Sequence, residues 1–362
     1  MTAWEALVHG CAALEPGEAG GVVPQRLPAW ARSQVDDPLF RFVAACPTGV
    51  VLRFDTRAAA VRLTMGATTV SAPGIAPTPP LLIVRRGEVE AEVPGPTPTV
   101  LVVDADQRIV GTQPQPPQTI EVPIAPGDGP VEVFLPHNVR VELVALEADA
   151  PVTPAAGAGR RWTHYGSSIS QGMNAVSAVR TWPAAAARRL GWRLHDLSFA
   201  GNAQLDGFAA RLIRDTPADL ITLKVGINLV NADSMRERTF RPAVHAFLDT
   251  IRDGQADTPI VLISALACPI HEGSPGPVVA GPDGRARAAR RDIEKDAGAL
   301  TLARTREILA EVVAARADAR LALLDGRSLF GDADAHLLYD DLHPDQAGLD
   351  LIAERFVAAM RG

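Results

Sequence analysis

Two short stretches of the sequence carry the side-chain types that acyl transfer through a serine ester requires. Residues 164–172 read His-Tyr-Gly-Ser-Ser-Ile-Ser-Gln-Gly, and residues 340–344 read Asp-Asp-Leu-His-Pro. A serine hydroxyl is a weak nucleophile until a base takes its proton, and a carboxylate that contacts the base fixes its orientation. We predict that Ser168 is the nucleophile, His343 its general base and Asp340 the carboxylate that orients His343.

The carboxylate partner of His343 has two candidates, because Asp340 and Asp341 are adjacent in the sequence. The three-residue spacing between Asp340 and His343 allows one loop to hold both side chains, and it favours Asp340. Asp341 is then a solvated residue. Pro344 suits the first turn of a helix, so we expect this loop to precede the last helix of the chain.

Two glycine-asparagine motifs supply hydrogen-bond donors for a developing oxyanion. Residues 201–202 read Gly-Asn, and residues 226–228 read Gly-Ile-Asn. We predict that the backbone N–H of Gly201, the side-chain amide of Asn228 and the backbone N–H of Ser168 form the oxyanion hole. Removing one donor of this kind typically lowers kcat by ~10²–10³.

The elements that must position these residues alternate between strand and helix from residue 161 onward. The predicted strands span residues 161–165, 192–199, 220–225, 259–266 and 321–324. The predicted helices span residues 182–190, 205–215, 234–253, 285–317 and 344–360. This alternation predicts an α/β domain with a parallel sheet that is covered by helices on both faces. Ligands of such sheets bind outside the carboxyl ends of the strands.

Residues 1–150 have a different character, with many Pro, Val and Thr residues in short alternating runs that turn signals separate. Short strands at this spacing, without helical periodicity, predict an all-β sandwich or jelly roll. Residues 151–160 are rich in Pro, Ala and Gly, which predicts a linker. The catalytic α/β domain is therefore expected over residues 161–362.

The order of the motifs resembles the SGNH or GDSL-type esterase and acyltransferase superfamily. The resemblance covers residues 161–362 and rests on Gly-Ser-Ser-Ile-Ser, Gly-Asn, Gly-Ile-Asn and Asp-x-x-His-Pro. It implies a flavodoxin-like, parallel five-stranded sheet, and it implies the roles given above for the five site residues. One departure is Ser167, which stands where the family usually has Asp, although that Asp is not a triad member. The β-sandwich ahead of the catalytic domain is similar to a two-domain branch of the family.

Three residues near the nucleophile and the base are candidates for contact with substrate. Tyr165 and Ser167 lie just before the nucleophile, and Tyr339 lies just before Asp340. The alternative for Tyr165 is that it packs against the strand end together with His164. The alternative for Tyr339 is that it only packs within its own loop and supports the conformation of that loop.

Arg290 and Arg291 end a basic run over residues 285–291. They are candidates to bind the phosphates of a coenzyme A donor, because arginine recognises phosphate well. The alternative is a solvated helix face whose arginines pair with the acidic residues that follow.

Residues 267–284 contain many Pro and Gly residues and are too many for a tight connection between strand and helix. The segment follows the fourth predicted strand at the active-site edge. We expect it to act as a lid or substrate-binding loop, and the alternative is a surface insertion.

Composition excludes several other functions. A net charge of −7 argues against a nucleic-acid binder. The three cysteines are odd in number and far apart, and no cluster has metal-ligand spacing, so neither a disulfide framework nor a metal site is expected. No apolar run approaches the ~18 residues of a membrane span, and the first residues do not resemble a secretory signal. We therefore expect a cytoplasmic protein without a bound cofactor.

The resemblance implies an O-acyltransferase that moves an aryl acyl group from a coenzyme A thioester to a hydroxyl of a polyketide natural product. A carboxylic-ester hydrolase, either an esterase or a carbohydrate deacetylase, uses the same catalytic residues and is the main alternative. A third hypothesis is a non-catalytic protein whose β-sandwich binds carbohydrate. The sequence leaves open the acyl group, the acceptor and the oligomeric state.

Overall fold

The computed structural model describes residues 4–71, 79–104, 108–290 and 296–361. Its contacts divide the chain into two units, Met1–Ala158 with Val176–Val179, and Gly159–Ala175 with Arg180–Gly362. Each unit has its own hydrophobic core. The chain is therefore built from two bodies of different secondary structure.

The first unit is all-β apart from three short helices. Its strands are β1 (Val8–His9), β2 (Ala13–Pro16), β3 (Val22–Gln25), β4 (Val51–Thr56), β5 (Ala60–Ser71), β6 (Leu81–Arg86), β7 (Val89–Pro94), β8 (Thr99–Val103), β9 (Ile109–Gln113), β10 (Gln118–Pro123), β11 (Val131–Phe134), β12 (Arg140–Ala148) and β13 (Val152–Pro154). Its helices are α1 (Trp4–Leu7), α2 (Ala29–Arg32) and α3 (Pro38–Ala45).

These strands form two sheets that share one core. The order of the first sheet is β1-β4-β11-β6-β7, with β13 beside β4, and the order of the second is β2-β3-β12-β5-β8-β9, with β10 beside β5. Alternate residues of β5 are buried, as expected for strands with one face inward. Leu52 and Phe54 of the first sheet and Leu63 and Met65 of the second belong to one buried cluster. The arrangement is a β-sandwich, and its jelly-roll connectivity stays a prediction.

The predicted linker over residues 151–160 is partly wrong. Val152–Pro154 forms β13, which pairs antiparallel with β4 from Thr56 to Phe54. Backbone pairing satisfies the polar groups of this segment, which a solvated linker would leave to water. The prolines that suggested a linker are compatible with a strand at the edge of a sheet.

The second unit is the α/β domain. Its strands are β14 (Arg161–Gly166), β15 (Arg193–Ser198), β16 (Leu220–Lys224), β17 (Ile260–Ile263), β18 (Val278–Ala280), β19 (Ala286–Ala288) and β20 (Leu321–Leu324). Its α-helices are α4 (Ser168–Gln171), α5 (Trp182–Leu190), α6 (Gly207–Asp215), α7 (Ile227–Asn231), α8 (Glu237–Arg252), α9 (Leu302–Arg316) and α10 (Gln346–Arg361). Short 3₁₀ turns cover Pro269–His271, Gly326–Ser328 and Asp332–Leu337. Another covers Ala178–Arg180, whose first two residues belong to the first unit.

The main sheet of this unit confirms the predicted fold class. Five strands in the order β15-β14-β16-β17-β20 are all parallel, which is the flavodoxin-like order. On one face, the Trp162 ring of β14 stacks on Phe356 of α10 with centroids 5.0 Å apart. On the other face, the Tyr165 ring contacts Phe247 of α8 at 5.2 Å. Helices therefore cover both faces, as predicted.

Among the described residues, no helix has the length and apolarity needed to cross a membrane.

The helix predicted over residues 285–317 is wrong over Ala286–Ala288, and its part over residues 291–295 lies outside the described residues. Residues Ala286–Ala288 form β19, which pairs antiparallel with β18. Helix α9 begins only at Leu302, where the Thr301 side chain accepts the N–H of Arg304 as an N-cap. The Ala and Arg residues before it favour a helix by intrinsic propensity, but strand pairing overrides that weak preference.

A single carboxylate links three strands of the first sheet. Glu132 lies on β11 directly between Arg53 of β4 and Arg85 of β6. Its Oε1 accepts from Arg53 Nε at 3.0 Å, and its Oε2 accepts from Arg85 Nε at 2.8 Å. Burial alone would raise the pKa of Glu132, but the hydrogen bonds and charges of Arg53 and Arg85 outweigh burial and lower it.

We predict that Glu132→Gln lowers the free energy of unfolding by about 2 kcal/mol at pH 7, because two largely buried guanidinium groups lose their charged hydrogen-bond acceptor. The folded-state pKa lies below the unfolded value, so this contribution is present at neutral pH. It is lost as the pH falls through the folded-state pKa. Urea unfolding at pH 7 and at pH 3 measures both effects.

Glu147→Gln is the matched control, because Glu147 pairs with Arg62 in the same unit while more than half of each side chain is exposed. Exposed pairs contribute little, so we expect a small change. Equal losses in the two variants would contradict the bridging role of Glu132.

Candidate active site

The loops that carry the predicted site residues meet at one edge of the parallel sheet. Strand β14 lies between β15 and β16, so the segments that follow these three strands are neighbours. Backbone contacts join them, since the Phe199 N–H donates to Gly166 O at 2.8 Å. The Ala203 N–H after β15 donates to Asn228 Oδ1 after β16 at 3.0 Å.

Gly166 ends β14 at a position where neighbouring side chains leave no room for a Cβ atom. A Cβ at this position would lie 2.4 Å from Ser170 Oγ and 2.8 Å from His164 Nε2. The chain then turns through Ser167 into α4, whose first residue is Ser168. The turn presents the predicted nucleophile at the carboxyl end of β14.

Ser168, His343 and Asp340 form a continuous hydrogen-bonded chain. Ser168 Oγ lies 3.0 Å from His343 Nε2, and His343 Nδ1 lies 2.7 Å from Asp340 Oδ2. The other oxygen, Asp340 Oδ1, accepts the backbone N–H groups of Leu342 at 3.0 Å and His343 at 2.6 Å. All three predicted triad residues are therefore in contact.

The charge state of Asp340 determines which proton His343 carries. Burial would raise the pKa of Asp340, but the hydrogen bond and charge of His343 and the two backbone N–H groups outweigh burial and lower it. An ionised carboxylate can only accept, so Nδ1 of His343 must be the protonated nitrogen. Nε2 is then free to accept the proton of Ser168, which is what a general base requires.

Asp341 does not contact His343 but binds two arginines. Its Oδ2 lies 3.1 Å from Arg285 Nε and also pairs with Arg287. Asp341 has a left-handed backbone with φ of +67°. Of the two candidate aspartates, Asp340 is the one that contacts His343, and Asp341 is an ion-pair residue.

The hairpin of residues 278–288, which we call the arginine hairpin, holds the loop that carries Asp340. The Ala286 N–H donates to Asp340 O at 2.9 Å. Arg285 Nη2 donates to the carbonyl oxygens of Leu338 and Tyr339, each at 3.3 Å. The backbone on both sides of the triad aspartate is therefore bound by this hairpin.

The segment 267–284, predicted as a lid, is anchored near its start. Arg306 binds Glu272 at 2.8 Å through Nη2 and Oε1, and its Nε donates to Ala265 O at 2.9 Å. The end of the segment is part of the arginine hairpin. A role in substrate binding stays a prediction.

The backbone donors predicted for the oxyanion hole have no competing acceptor among the described residues. Because Asn228 Oδ1 accepts the Ala203 N–H, the amide must present Nδ2 in the other direction. Gly201 has φ of +73°, and the space where a side chain would begin is open. Within the described parts of the chain, the N–H groups of Ser168 and Gly201 donate to no protein acceptor. Oxyanion binding by these donors stays a prediction.

A second serine-histidine pair lies directly behind the first and is sealed from solvent. His164 Nε2 lies 2.9 Å from Ser170 Oγ, and His164 Nδ1 lies 2.6 Å from Thr222 Oγ1. His164 and Ser170 are fully buried. Burial, helped by the charge of Lys224, holds the pKa of His164 well below its usual value. This neutral pair supports the strand end, and no substrate can reach it.

Two of the predicted substrate contacts are wrong. Tyr165 is fully buried and its hydroxyl oxygen accepts the Leu205 N–H at 2.9 Å, because Tyr165 faces α8 and not the site. Ser167 is also buried, and its hydroxyl oxygen accepts from Lys224 Nζ at 3.4 Å. Lys224 has no predicted role, although a lone lysine in an apolar strand is an unusual feature of the sequence.

The other predicted substrate contacts remain predictions. Tyr339 is 53% exposed, and its ring lies nearly parallel to that of His343 with centroids 6.1 Å apart. Arg290 is exposed, and Arg291 lies outside the described residues. Phosphate binding by this basic run is also a prediction. Among the described residues, no group of three or more His, Cys, Asp or Glu side chains could hold a metal ion.

Comparison with solved structures finds proteins that are similar over nearly the whole length of the chain. The salicylyl acyltransferase SsfX3 from a tetracycline biosynthetic pathway is 27% identical with a TM-score of 0.78, over 98% of this chain and 94% of that one. A protein from Bacteroides ovatus described as a GDSL-like lipase is 18% identical with a TM-score of 0.66, over 99% and 96%. A family two carbohydrate esterase from Cellvibrio japonicus is 13% identical with a TM-score of 0.57, over 98% and 95%. The last two support the fold alone.

Comparison by sequence identifies the family. No curated protein sequence matches the chain. The family model of GDSL-like lipases and acylhydrolases matches residues 164–351, which is more than half of the chain and includes every residue of the hydrogen-bonded chain described above. The protein therefore belongs to the GDSL-like lipase and acylhydrolase family.

Proposed function

We propose that the protein is a serine-dependent O-acyltransferase that moves an aryl acyl group from a coenzyme A thioester to a hydroxyl of a polyketide natural product. The observation that carries the proposal is the hydrogen-bonded chain from Asp340 through His343 to Ser168. This chain supplies an activated nucleophile, which acyl transfer through a covalent intermediate requires.

In the first half-reaction, His343 Nε2 takes the proton of Ser168 as Oγ attacks the carbonyl carbon of the thioester. The N–H groups of Ser168 and Gly201 and the Nδ2 group of Asn228 bind the oxyanion. When the tetrahedral intermediate collapses, the bond from carbon to sulfur breaks and the proton on His343 goes to the leaving thiolate. Ser168 then carries the acyl group as an ester.

In the second half-reaction, His343 takes the proton of the acceptor hydroxyl, whose oxygen attacks the acyl-Ser168 ester. Collapse returns the proton to Ser168 Oγ and releases the new ester. Water in place of the acceptor gives the free acid by the same steps. Transfer therefore requires that the acceptor reaches the acyl-enzyme in preference to water.

Two observations favour an aryl acyltransferase. The similarity to a salicylyl acyltransferase of a tetracycline pathway extends over both units of the chain. The exposed Tyr339 ring beside His343 also offers an aromatic surface where an aryl acyl group or a polyketide ring could stack. A coenzyme A donor further implies a cytoplasmic reaction, and the donor would be a co-substrate and not a bound cofactor.

A carboxylic-ester hydrolase is the second candidate, because the matched family includes lipases and acylhydrolases. The substrate would then be an ester or an acetylated carbohydrate. The family match and the contacts of Ser168 favour an enzyme over the non-catalytic carbohydrate binder considered from the sequence.

We predict that wild-type protein incubated with salicylyl-coenzyme A and a phenolic polyketide acceptor forms more new ester than free salicylate. The measurement is quantification of both products by mass spectrometry. Ser168→Ala should form neither, because the acyl-enzyme cannot form. Formation of free acid alone would contradict the transferase proposal and support a hydrolase. If the donor is not consumed, a coenzyme A thioester is not the substrate, and acetylated sugars are the next substrates to assay.

We also predict that the neighbouring aspartates differ sharply in effect. Asp340→Asn should lower kcat by roughly 10²–10⁴, because the amide cannot hold His343 in the tautomer that accepts the serine proton. Asp341→Asn, the matched control, should lower kcat less than about tenfold, because it weakens only partly exposed ion pairs. The measurement is the kcat of both variants on one activated ester. A larger loss of kcat in Asp341→Asn than in Asp340→Asn would contradict the assignment of Asp340 as the partner of His343.

A further inference from the structure

Lys224 ends strand β16 next to the nucleophile turn. Its side chain is 2% exposed, and its Nζ donates a hydrogen bond to Ser167 Oγ at 3.4 Å. Ser167 directly precedes the proposed nucleophile. Lys224 is one of only two lysines in the sequence, whereas the other basic residues are arginines.

Within the described residues, no carboxylate forms an ion pair with the ammonium group of Lys224, and burial is the only influence on its pKa. Around it lie Ser167 from the nucleophile turn, His164 from β14, and Ile263, its register partner on β17. Asp196 lies one strand further, opposite His164, and its Oδ1 accepts a backbone N–H.

A buried cation without a counter-ion destabilises the fold, because the protein does not replace the hydration that the ammonium loses. Burial lowers the pKa of Lys224 from 10.5 to about 7. Groups with such perturbed pKa values are concentrated at functional sites. We therefore infer that Lys224 has a role other than stabilising the fold.

The hydroxyl of Ser167 is engaged in an unusual way. Ser167 is the N-cap residue of α4, where a serine side chain normally accepts a backbone N–H of the first helical turn. Its hydroxyl makes no such capping bond. Lys224 is the side chain that binds it instead. The side-chain conformation of the residue before the nucleophile is thus set by the neighbouring strand.

We propose that Lys224 is a positioning residue, which holds Ser167 and thereby keeps Ser168 Oγ within hydrogen-bonding distance of His343 Nε2. This inference rests on the proposed function, in which Ser168 is the nucleophile. Ser167 and Ser168 share a peptide bond, so a change in the backbone dihedral angles of Ser167 displaces the hydroxyl of Ser168. A displacement of about 1 Å costs on the order of 10²-fold in rate.

The first test compares Lys224→Met, Ser167→Ala and the double variant. Methionine keeps the length of the lysine side chain but removes the donor and the charge. The readouts are kcat and KM on p-nitrophenyl acetate, and the rate at which a fluorophosphonate labels Ser168. In that labelling, Ser168 Oγ bonds to phosphorus, fluoride leaves, and His343 takes the serine proton.

We expect each single variant to lower kcat and the labelling rate about tenfold with little change in KM. The double variant should be no slower than the single ones, because Lys224 acts through Ser167. Additive losses would show that Lys224 does not act through Ser167 and would overturn the proposal.

The second test is stability as a function of pH. Between the folded-state pKa of about 7 and the unfolded value of 10.5, the unfolded chain binds a proton that the folded chain lacks. The stability of wild type therefore rises with pH across this window, and the destabilisation is complete below it. We expect Lys224→Met to be more stable than wild type at pH 6, with the difference shrinking toward pH 10.5.

Thr222→Val is the matched control, because Thr222 lies two residues earlier on the same face of β16 and its hydroxyl is hydrogen-bonded to the buried Trp162 and His164. It should lower stability and leave the labelling rate per folded molecule unchanged. A Lys224→Met variant that behaves like this control would show a structural lysine and refute the inference. Wild type that neither turns over nor is labelled would instead refute the proposed function.

Discussion

The hydrogen bond between Ser168 Oγ and His343 Nε2 is the contact on which the account of this protein depends. It spans 3.0 Å and joins residues 175 positions apart in the chain. One partner stands at the end of a central strand and the other in the loop before the last helix. The parallel sheet brings them together because all of its strands present their carboxyl ends at the same edge.

The residues around this contact include a hydrogen-bonded support for His343 and two buried basic side chains near the nucleophile turn. The arginine hairpin binds the backbone around Asp340, and Asp340 in turn fixes the tautomer of His343. Near the nucleophile turn, the neutral His164 and the buried Lys224 are both hydrogen-bonded to hydroxyl groups. Burial separates the two serine-histidine pairs, since His164 and Ser170 are fully buried whereas Ser168 and His343 are partly exposed.

Much of the α/β fold and of the site could be predicted, because strand alternation and glycine-bounded loops are local properties of the sequence. The helix of residues 182–190 and the strand of residues 321–324 have the bounds that the sequence predicts. The arginine hairpin could not be predicted, since its Ala and Arg residues favour a helix and only long-range pairing makes them a strand. Of the two roles considered for Tyr165, packing at the strand end is the one confirmed. Nearness in sequence to the nucleophile could not decide between them, because it does not reveal which face of β14 a side chain occupies.

In the proposed mechanism, Ser168 carries the acyl group between two half-reactions. The most direct measurement is mass spectrometry of protein quenched in acid during turnover of an activated aryl ester, followed by peptide mapping. We expect one acyl group per molecule on the peptide that contains Ser168, and none in Ser168→Ala. Turnover in wild type with no acylated protein, or with the acyl group on another residue, would contradict it.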